Sequence, residues 1–460
     1  IFNHVNDPVL TQLAGGSFTF PGCTPMKNIV SSLYAEYGRY IDAFRAIPKD
    51  IDCLKPVERR LLLSVHEVAR KKLEKSAKVI GTCIGNYHPH GDTSTYESLV
   101  TLVQRGFVDG QGNWGRYGLE NSRAAAYRYT ECKANDTLHS IFSDYLKFVP
   151  WEPLELENEP LYIPFPIPLG LIGSGVTTGI GFHITRIPRF RFIDLIQRLV
   201  QLLEQSPLTT IIPIIDDCTL YEDTPGEFDK LLTTGKGRIQ IVPNTIVTAT
   251  DIIITGRNPL IGFNGLKTLN EKHEEVNGTP LFSAIDLWDY TCKTSINIKV
   301  SNAGKGRYLA QSFIDKILLS ISSIVNFRVN VVEDNIVKLK SIDTLLLEGY
   351  DKWKLANLKF YQQQLEYNLN KLEELKIIQV IREIIKNNPG IQKIDDIVQL
   401  NTSNYLENEL RAVCSKHNIK TLIEAHIDIN TIQNKINSLT KTINDIDNVV
   451  LNGIKQKFLK

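Results

Sequence analysis

The chain has 460 residues, of which 42% are hydrophobic and 22% charged, and its formal net charge is +1. This composition excludes a disordered scaffold, and the length allows about three domains. The small net charge excludes a surface that is basic all over, so binding to nucleic acid would require a local basic patch.

The seven cysteines are scattered and odd in number, and they form no C-x-x-C pair. This argues against a zinc site or a redox dithiol and favours reduced thiols. The sequence contains no run of about 18 apolar residues and no charged-then-apolar leader, so we expect neither a membrane span nor a signal peptide. The chain begins with Ile1 rather than Met, which leaves open that it is a fragment of a longer polypeptide.

Residues 1–26 show little periodicity and are predicted to form an N-terminal arm. From Lys27 the stretch KNIVSSLYAEYGRYIDAF predicts a helix. A second helix is predicted to begin at Pro56 in PVERRLLLSVHEVARKK. Its predicted buried face consists of Val57, Leu61, Val65 and Val68. From Lys55 to Lys78 there are eight Lys or Arg and three Glu, a local basic excess of five.

A further helix is predicted in TSTYESLVTLV, with a capping box at Ser94-x-x-Glu97. Its predicted buried stripe consists of Tyr96, Leu99, Val100 and Val103. Two helices about a glycine-containing turn, the first of them basic, form a helix-turn-helix arrangement. An ordinary helical hairpin is the alternative, and the basic excess favours the former.

Residues 151–168 are rich in Pro and Glu, which indicates a boundary. Beyond it, the strand-like alternation of RIQIV (238–242) and SINIKV (295–300), with short helices such as FIDKILLSI between, predicts a mixed α/β domain over residues 151–340.

The segment 341–460 is predicted to form a long antiparallel coiled-coil arm, although a plain helical bundle is an alternative. Leucines keep roughly to heptad spacing within 343–387 at Leu355, Leu358, Leu365, Leu369 and Leu372. Apolar residues of the second helix step by 4, 3, 4, 3 and 4 through Ile432, Ile436, Leu439, Ile443, Ile446 and Val450. Pro389-Gly390 would end the first helix, leaving a tip globule over about 388–428 that could meet a second copy.

Three motifs could bear chemistry. YHPHGD (87–92) lacks an obvious third and fourth metal ligand, so we predict that its histidines donate to phosphate rather than bind zinc. VDGQGNWG (108–115) allows close backbone approach but lacks the Lys-Ser/Thr ending of a nucleotide loop, so it does not predict ATP binding. GLIGSGVTTGIGF (170–182) fits either a packing loop or an apolar wedge that kinks DNA.

Two D-x-D triplets, Asp50-Ile51-Asp52 and Asp445-Ile446-Asp447, also occur. A magnesium site needs several oxygen ligands, and the sequence offers no third carboxylate near either triplet. We therefore predict no metal site in this chain.

Five motifs, in their order along the chain, resemble the breakage-reunion part of type IIA DNA topoisomerases, above all the A subunits of bacterial gyrase and topoisomerase IV. These motifs are FRAIPKDIDCLKPVERR, KSAKVIG, YHPHGD, VDGQGNWG and AAAYRYTE. The resemblance continues through LIGSGVTTGIGFHITRIP, LLTTGKGRIQI and the arm, and so covers nearly the whole chain from about residue 30. It implies a multidomain α+β fold: a winged-helix DNA-gate domain over 27–150, a mixed α/β tower domain over 151–340, and a coiled-coil arm over 341–460 whose tip globule dimerises as the exit gate.

The resemblance further implies the catalytic residues. The tyrosine of the family's R-Y-T-E sequence, here Tyr129, attacks a DNA phosphodiester and forms a phosphotyrosyl link to the 5′ end. Because a phenol with a pKa of about 10 is a weak nucleophile, it needs electropositive surroundings. The resemblance supplies these as Arg128, Arg45 and His90. Tyr127 falls where the family often has an apolar residue, and we expect it to pack.

The resemblance also implies binding residues. The expected DNA contacts are Lys55, Arg59, Arg60, Lys78, His88, Gln111 and the intercalating residue Val176. Thr93 and Glu97 fall where the family's quinolone-contacting hydroxyl and acid lie.

Three departures indicate a divergent member of the family. The segment before VDGQG is a few residues shorter than usual, Glu58 replaces a commonly basic residue, and FHITRIP contains extra residues. The chain in this respect looks similar to the type II topoisomerases of large cytoplasmic DNA viruses. We expect a cytoplasmic, DNA-associated protein, located in the host cytoplasm if the enzyme is viral.

The resemblance implies Mg²⁺ and ATP as cofactors, both bound outside this segment. The ATPase and magnesium-binding domains would belong to a B-type partner in a heterotetramer, or lie upstream in the same polypeptide. The other expected partners are double-stranded DNA and a second copy of the chain. No β-pinwheel is visible, so we expect either a shortened chain or an enzyme that relaxes and decatenates DNA.

Two other classes remain open. One is a catalytically silent DNA-binding or architectural protein that retains the topoisomerase fold. The other is a generic helix-turn-helix module with a dimerising coiled coil.

Overall fold

A computed structural model describes residues 26–459 of the chain. It excludes residues 116–122, 154–156, 174–175, 179–184, 248–250, 255–281, 287–295, 301–318, 320–321, 392, 402, 404, 417–421 and 423–427. The chain is a mixed α/β protein. Residues 1–25 of the predicted arm 1–26 and most of the predicted helix FIDKILLSI lie outside the described residues.

The α-helices are α1 (Met26–Ile41), α2 (Pro56–Val68), α3 (Ser76–Thr82), α4 (Asp92–Gln104), α5 (Asp136–Phe142), α6 (Phe192–Leu203), α7 (Glu227–Thr234), α8 (Ile342–Asn387), α9 (Ile394–Gln399), α10 (Glu407–Lys416), α11 (Ile429–Asn444) and α12 (Ile446–Phe458). The strands are β1 (Glu74–Lys75), β2 (Val108–Gln111), β3 (Glu131–Ala134), β4 (Trp151–Pro153), β5 (Asn158–Pro160), β6 (Val176–Thr178), β7 (Arg186–Pro188), β8 (Cys218–Glu222), β9 (Lys236–Pro243), β10 (Thr245–Val247), β11 (Asp251–Ile254), β12 (Phe282–Asp286), β13 (Ile296–Val300), β14 (Ser323–Arg328), β15 (Asn330–Glu333) and β16 (Ile336–Leu339). None of the described helices combines the length and apolar character needed to cross a membrane.

The N-terminal part packs α2, α3 and α4 around a small antiparallel sheet with strand order β1-β3-β2. α2 begins at Pro56 as predicted, because a proline there lacks only an N–H that has no partner within the helix. Glu58 reinforces this start by accepting a hydrogen bond from the backbone N–H of Lys55 at 2.9 Å. The helix buries Leu61 and Val65. The predicted core residues Val57 and Val68 are only partly buried.

Two local predictions need correction. The capping box at Ser94 is wrong: α4 begins at Asp92, and the Ser94 hydroxyl donates to the carbonyl of Gly91 at 2.9 Å. In α1 the helix itself is confirmed, but Leu33 and Tyr37 on its apolar side are exposed.

Among the described residues, the central part contains two larger antiparallel sheets besides the two-stranded sheets β4-β5 and β15-β16. One has the strand order β6-β7-β14-β9-β8, and the other β10-β11-β13-β12. The predicted strands 238–242 and 295–300 correspond to β9 and β13. Both sheets lie in the segment predicted to be a mixed α/β domain.

The C-terminal part is dominated by α8, a helix of 46 residues. Ser341 caps it by accepting the backbone N–H of Thr344 at 3.0 Å, and it ends just before Pro389-Gly390, as predicted. α11 and α12 pack against α8 and run back along it. Near the start of α8, Lys354 pairs with Asp447 of α12 at 2.8 Å. The expected second helix is not continuous, since α11 ends before Asp445 and α12 begins after it.

The heptad prediction for α8 is only partly right. Leu372 is buried, but Leu355 and Leu369 are exposed. The buried face of the helix instead includes Trp353, whose ring lies 4.5 Å from that of Tyr145. Packing against the rest of the chain, in addition to the facing helix, therefore decides which side of α8 is buried.

Candidate active site and nucleic-acid interface

Tyr129 lies on a tight turn immediately before β3. Its backbone N–H donates to the carbonyl of Ala126 at 2.8 Å, which closes the turn. The next residue, Thr130, is fully buried, and its hydroxyl is 2.8 Å from that of Ser76 and 3.0 Å from that of Tyr96. This buried network fixes the backbone, while the side chain of Tyr129 is 66% exposed. The phenol is thus presented outward from a rigid base.

Arg128 lies over the ring of Tyr129, with 4.8 Å between the guanidinium carbon and the ring centroid. Its hydrogen bond to the phenol, and secondarily its positive charge, lower the pKa of Tyr129 from its ordinary value. Both effects favour the phenolate, which is the nucleophilic form.

Tyr127 occupies a different environment, as predicted. Its ring packs edge-on against Tyr96 at 5.7 Å, and its hydroxyl donates to Asp92 at 3.1 Å. It contacts the main hydrophobic core. Tyr127 therefore anchors the turn to α4, and its hydroxyl is already engaged.

A second group of polar residues forms around the two histidines of YHPHGD. The rings of His88 and His90 lie 4.3 Å apart. Arg60 donates to Nδ1 of His88 at 3.0 Å, so this histidine is neutral with its proton on Nε2. Burial, followed by the nearby His90, Arg60 and Arg45, lowers the pKa of His88 to about 3. His90 and Arg45 remain exposed.

Among the described residues, no hydrogen bond or ring contact joins Tyr129 or Arg128 to Arg45, His88 or His90. We call Tyr129 with Arg128 one half-site, and the two histidines with Arg45 the other.

Arg59 requires a correction. It was expected to contact the DNA backbone, but its side chain is 2% exposed and donates to both carboxylate oxygens of Asp52, at 2.8 Å and 3.0 Å. Asp52 also accepts the backbone N–H groups of Leu54 and Ile163, each at 3.0 Å. Because its guanidinium is bonded to Asp52 and buried, Arg59 holds the loop before α2 and offers almost no surface for a contact with DNA.

Arg60 and His88 are also largely enclosed. Arg60 makes a bidentate pair with Glu159, at 2.7 Å and 2.9 Å, and its side chain is 15% exposed. His88 is buried. In this arrangement both residues support the loop that carries His90.

Other expected DNA contacts are more accessible. Lys55 is half-buried at the start of α2, and burial lowers its pKa. Lys78 is exposed on α3 and pairs with Glu74 at 3.3 Å. Gln111 is exposed at the end of β2, where its backbone pairs with Glu131 beside Tyr129.

The remaining predicted residues lie apart from these. Thr93 and Glu97 are both exposed, one turn apart on α4. Val176 begins β6, where it is the backbone partner of Pro188; its side chain lies outside the described residues.

One carboxylate cluster in the described part of the chain has the spacing of a metal site. Oxygens of Asp50, Glu333 and Glu348 lie within 4.8 Å of one another. The Nζ atom of Lys340, however, lies among them, at 3.0 Å from Asp50 and 2.6 Å from each glutamate. The prediction that no third carboxylate lies near Asp50 is therefore wrong, because folding brings Glu333 and Glu348 to it. The ammonium group of Lys340 already occupies the position that a metal cation would take. This cluster does not fit Mg²⁺ in the wild-type chain.

Sequence reasoning missed several supporting residues. Asp52 was considered only as part of a D-x-D triplet, and Glu159 was not considered at all. Neither was identified as a partner of Arg59 or Arg60, which they anchor. Arg105, which pairs with Glu58 at 2.8 Å, was also missed. The only feature of the sequence that could have indicated a pair between Asp52 and Arg59 was their separation of seven residues, with Pro56 between them. No sequence pattern indicates a partner 99 residues away such as Glu159.

Comparisons with known proteins agree with this arrangement of elements. A family model for the A subunit of DNA gyrase/topoisomerase IV matches residues 45–458. The chain is similar to the A subunit of DNA topoisomerase 4 from Neisseria gonorrhoeae, with 29% identity over 405 residues, covering 77% of this chain and 52% of that protein. It is also similar to the A subunit of DNA gyrase from Pseudomonas aeruginosa, with 33% identity over 238 residues, covering 46% of this chain and 25% of that protein. A third relative, the A subunit of DNA gyrase from Helicobacter pylori, is 36% identical over 187 residues, covering 38% and 22%. The matched region thus spans about half or less of the length of these relatives.

Proposed function

Because this chain belongs to the A-subunit family of DNA gyrase and topoisomerase IV, we propose that it is the DNA cleavage-religation part of a type IIA DNA topoisomerase. One observation carries the proposal. Tyr129 is 66% exposed on a turn whose base is buried, and Arg128 lies 4.8 Å over its ring. This is the arrangement that a tyrosine nucleophile for a phosphodiester requires: access for a large substrate and a lowered pKa.

In the proposed reaction the phenolic oxygen of Tyr129 attacks a DNA phosphorus atom. A bond forms between that oxygen and phosphorus, and the bond from phosphorus to the 3′ oxygen breaks. The products are a 5′-phosphotyrosyl link and a free 3′ hydroxyl, which takes up a proton. Resealing is the reverse, and the covalent link conserves the energy of the broken bond.

Arg128 stabilises the phenolate and, with Arg45, the charge that develops on the phosphate oxygens. His90 donates a hydrogen bond to the same phosphate. Since no hydrogen bond or ring contact joins the two half-sites among the described residues of one chain, we propose that Arg45 and His90 of a second copy complete the site around Tyr129. The homodimer would then carry two sites, one for each DNA strand.

The DNA duplex would lie across Lys55, Lys78 and Gln111, whose exposure allows contact with its backbone. Such contacts position the duplex without reading its sequence. Val176 would act as the wedge that helps to bend it. Bending a site of 20–30 base pairs costs on the order of 1–6 kcal/mol, which added contacts offset.

We assign residues 27–150 to a winged-helix DNA-gate domain and 151–340 to a tower domain. Residues 341–460 form the coiled-coil arm with the exit gate, in which α9 and α10 belong to the tip globule. ATP hydrolysis and Mg²⁺ binding come from ATPase and magnesium-binding domains outside these residues.

The test compares Tyr129→Phe with the matched control Tyr127→Phe. The chain is combined with the ATPase and magnesium-binding domains of a related enzyme, Mg²⁺ and supercoiled plasmid, and the reaction is stopped with detergent. We expect wild type and Tyr127→Phe to yield protein-linked cleaved DNA and Tyr129→Phe to yield none. Cleavage by Tyr129→Phe would show that another residue is the nucleophile. DNA binding without cleavage by wild type would instead support a catalytically silent architectural protein.

A further inference from the structure

Glu58 and Arg105 lie 47 residues apart in the sequence and meet in the structure. α4 ends at Gln104, and Arg105 is its C-terminal cap. From there Arg105 reaches Glu58 across the helices, with 2.8 Å between Nη1 and Oε1, and each side chain is only 6% exposed. The two side chains therefore form a buried ion pair that joins α4 to the start of α2.

On one side, this pair is tied to the start of α2. The other carboxylate oxygen of Glu58 accepts the backbone N–H of Lys55 at 2.9 Å. Burial alone would raise the pKa of Glu58, but Arg105, Arg189 and Lys55 together hold it below its ordinary value. The carboxylate is thus charged, and it links Arg105 directly to the residue proposed to contact the DNA backbone.

On the other side, Arg105 packs against the turn that precedes β6. Gly173 has φ of +101°, and a Cβ atom placed there would lie 3.5 Å from Cβ and 3.6 Å from Cγ of Arg105. The stem of the arginine therefore lies against the backbone of this turn, three residues before Val176. The other end of the turn is held by the loop before α2, because Gly170 donates to the carbonyl of Asp52 at 2.8 Å.

We infer that the Glu58–Arg105 pair is a positioning element that fixes the turn of residues 170–173, which precede Val176 in the chain, relative to the DNA-contacting start of α2, and so sets how far bound DNA bends. The inference rests on the proposed function. Arg105 acts on DNA through the turn and not by direct contact, because its guanidinium is buried and faces Glu58.

The test separates this role from a contribution to stability. Arg105→Met leaves Glu58 buried without its partner and is expected to lower the melting temperature. The double variant Glu58→Gln/Arg105→Met removes both charges, and the amide oxygen of the introduced glutamine can still accept the N–H of Lys55, so we expect stability to recover. The bend is measured as energy transfer between dyes at the ends of a duplex of about 30 base pairs bound to the full chain in its dimeric complex.

We expect the double variant to bind DNA with wild-type affinity and salt dependence but to lose most of the change in energy transfer. Asp343→Asn is the matched control, because it breaks a buried pair with Arg198 (2.7 Å) that joins α6 to α8; it is expected to bend DNA like wild type. Gly173→Ala strains the backbone of the same turn, because φ at this residue is +101°, and it leaves the ion pair intact; it should also reduce the bend.

Wild-type bending by both the double variant and Gly173→Ala would overturn the inference alone. A wild-type protein that binds DNA without bending it would overturn the proposed bending step, and the inference with it. Bending that is lost in the double variant and in Gly173→Ala but retained in Asp343→Asn would support the inference.

Discussion

Arg59 donates two hydrogen bonds to the carboxylate of Asp52, at 2.8 Å and 3.0 Å, and both side chains are buried. Asp52 in turn accepts the backbone N–H of Ile163, so one carboxylate joins the loop before α2 to the chain beyond β5. A buried pair of this kind does not need to add much stability by itself, but removing one partner leaves the other charged and unsolvated.

Asp52→Ala should therefore lower the free energy of unfolding by about 3–5 kcal/mol. Denaturant unfolding followed by circular dichroism measures this loss. The control is Asp447→Ala, which removes an exposed carboxylate from its pair with Lys354 and should change stability by less than about 1 kcal/mol. Equal effects of the two substitutions would contradict the role given to Asp52.

Arg128→Met should slow DNA cleavage by about 10²- to 10³-fold, the usual effect of losing one charge-stabilising donor. The cleavage rate of the variant should also begin to increase at a higher pH than that of the wild type, because Arg128 lowers the pKa of Tyr129. Single-turnover cleavage measured across a pH series tests both effects. Arg123→Met, at an exposed position on the same segment, serves as the control. A slower rate with an unchanged pH profile would show that Arg128 acts on the phosphate alone.

Mixed dimers should show which chains build each active site. If Arg45 and His90 serve the Tyr129 of the other copy, a dimer of one Tyr129→Phe chain and one His90→Ala chain retains one intact site and nicks DNA. A dimer of one wild-type chain and one chain with both substitutions then has no intact site. Gel analysis of nicked plasmid distinguishes the two dimers. The reverse pattern would place His90 beside Tyr129 of its own chain.

The His66–His139 pair should make stability depend on pH. Nδ1 of His66 lies 2.6 Å from Nε2 of His139, and burial, followed by the charge of His139, lowers the pKa of His66 to about 4. Between about pH 6.5 and pH 4 the unfolded chain therefore binds more protons than the folded one, so stability is full above pH 6.5 and falls as the pH decreases.

His66→Gln should consequently lose less stability than wild type between about pH 7 and pH 5. Urea midpoints at each pH provide the comparison. Gln362→Ala changes an exposed residue that does not titrate and should follow the wild-type curve. Parallel curves for wild type and His66→Gln would rule out this histidine as the source of the pH dependence.

Lys340→Met should convert the lysine-centred cluster into a cation site. Burial alone would lower the pKa of Lys340, but its hydrogen bonds to Glu333, Glu348 and Asp50 raise it, so the ammonium is charged. Without it three carboxylates repel one another, and we expect a lower melting temperature that Mg²⁺ or Ca²⁺ partly restores. Lys338→Met is the control, because Lys338 pairs with Glu333 from the surface. A melting temperature that divalent cations leave unchanged would contradict this prediction.

The order of motifs along the chain was enough to indicate the family and the main helices. Pro56 and Pro389-Gly390 have strong local preferences, so the sequence predicts the start of α2 and the end of α8. The end of α2 was predicted less well, because the helix ends at Val68 and not at the end of the predicted stretch. The distinction between Tyr127 and Tyr129 also follows from the R-Y-T-E frame. Their contacts confirm that Tyr127 packs and show Tyr129 exposed.

Side-chain partners could not be predicted in the same way. A basic residue next to a helix start looks like a DNA contact whether it points outward, as Lys78 does, or inward, as Arg59 does. The difference depends on where Asp52 lies after folding. Likewise, the heptads of α8 did not reveal that Trp353 faces Tyr145.

The sequence by itself determined the family and the elements on which the candidate site residues lie, because local preferences and motif order act over short stretches of chain. Only the tertiary structure decided which charged side chains are exposed and which are held in buried pairs. It exposed Tyr129, buried Arg59 against Asp52 and joined Glu58 to Arg105. Burial and pairing depend on residues far apart in the chain, and no local pattern records those distances.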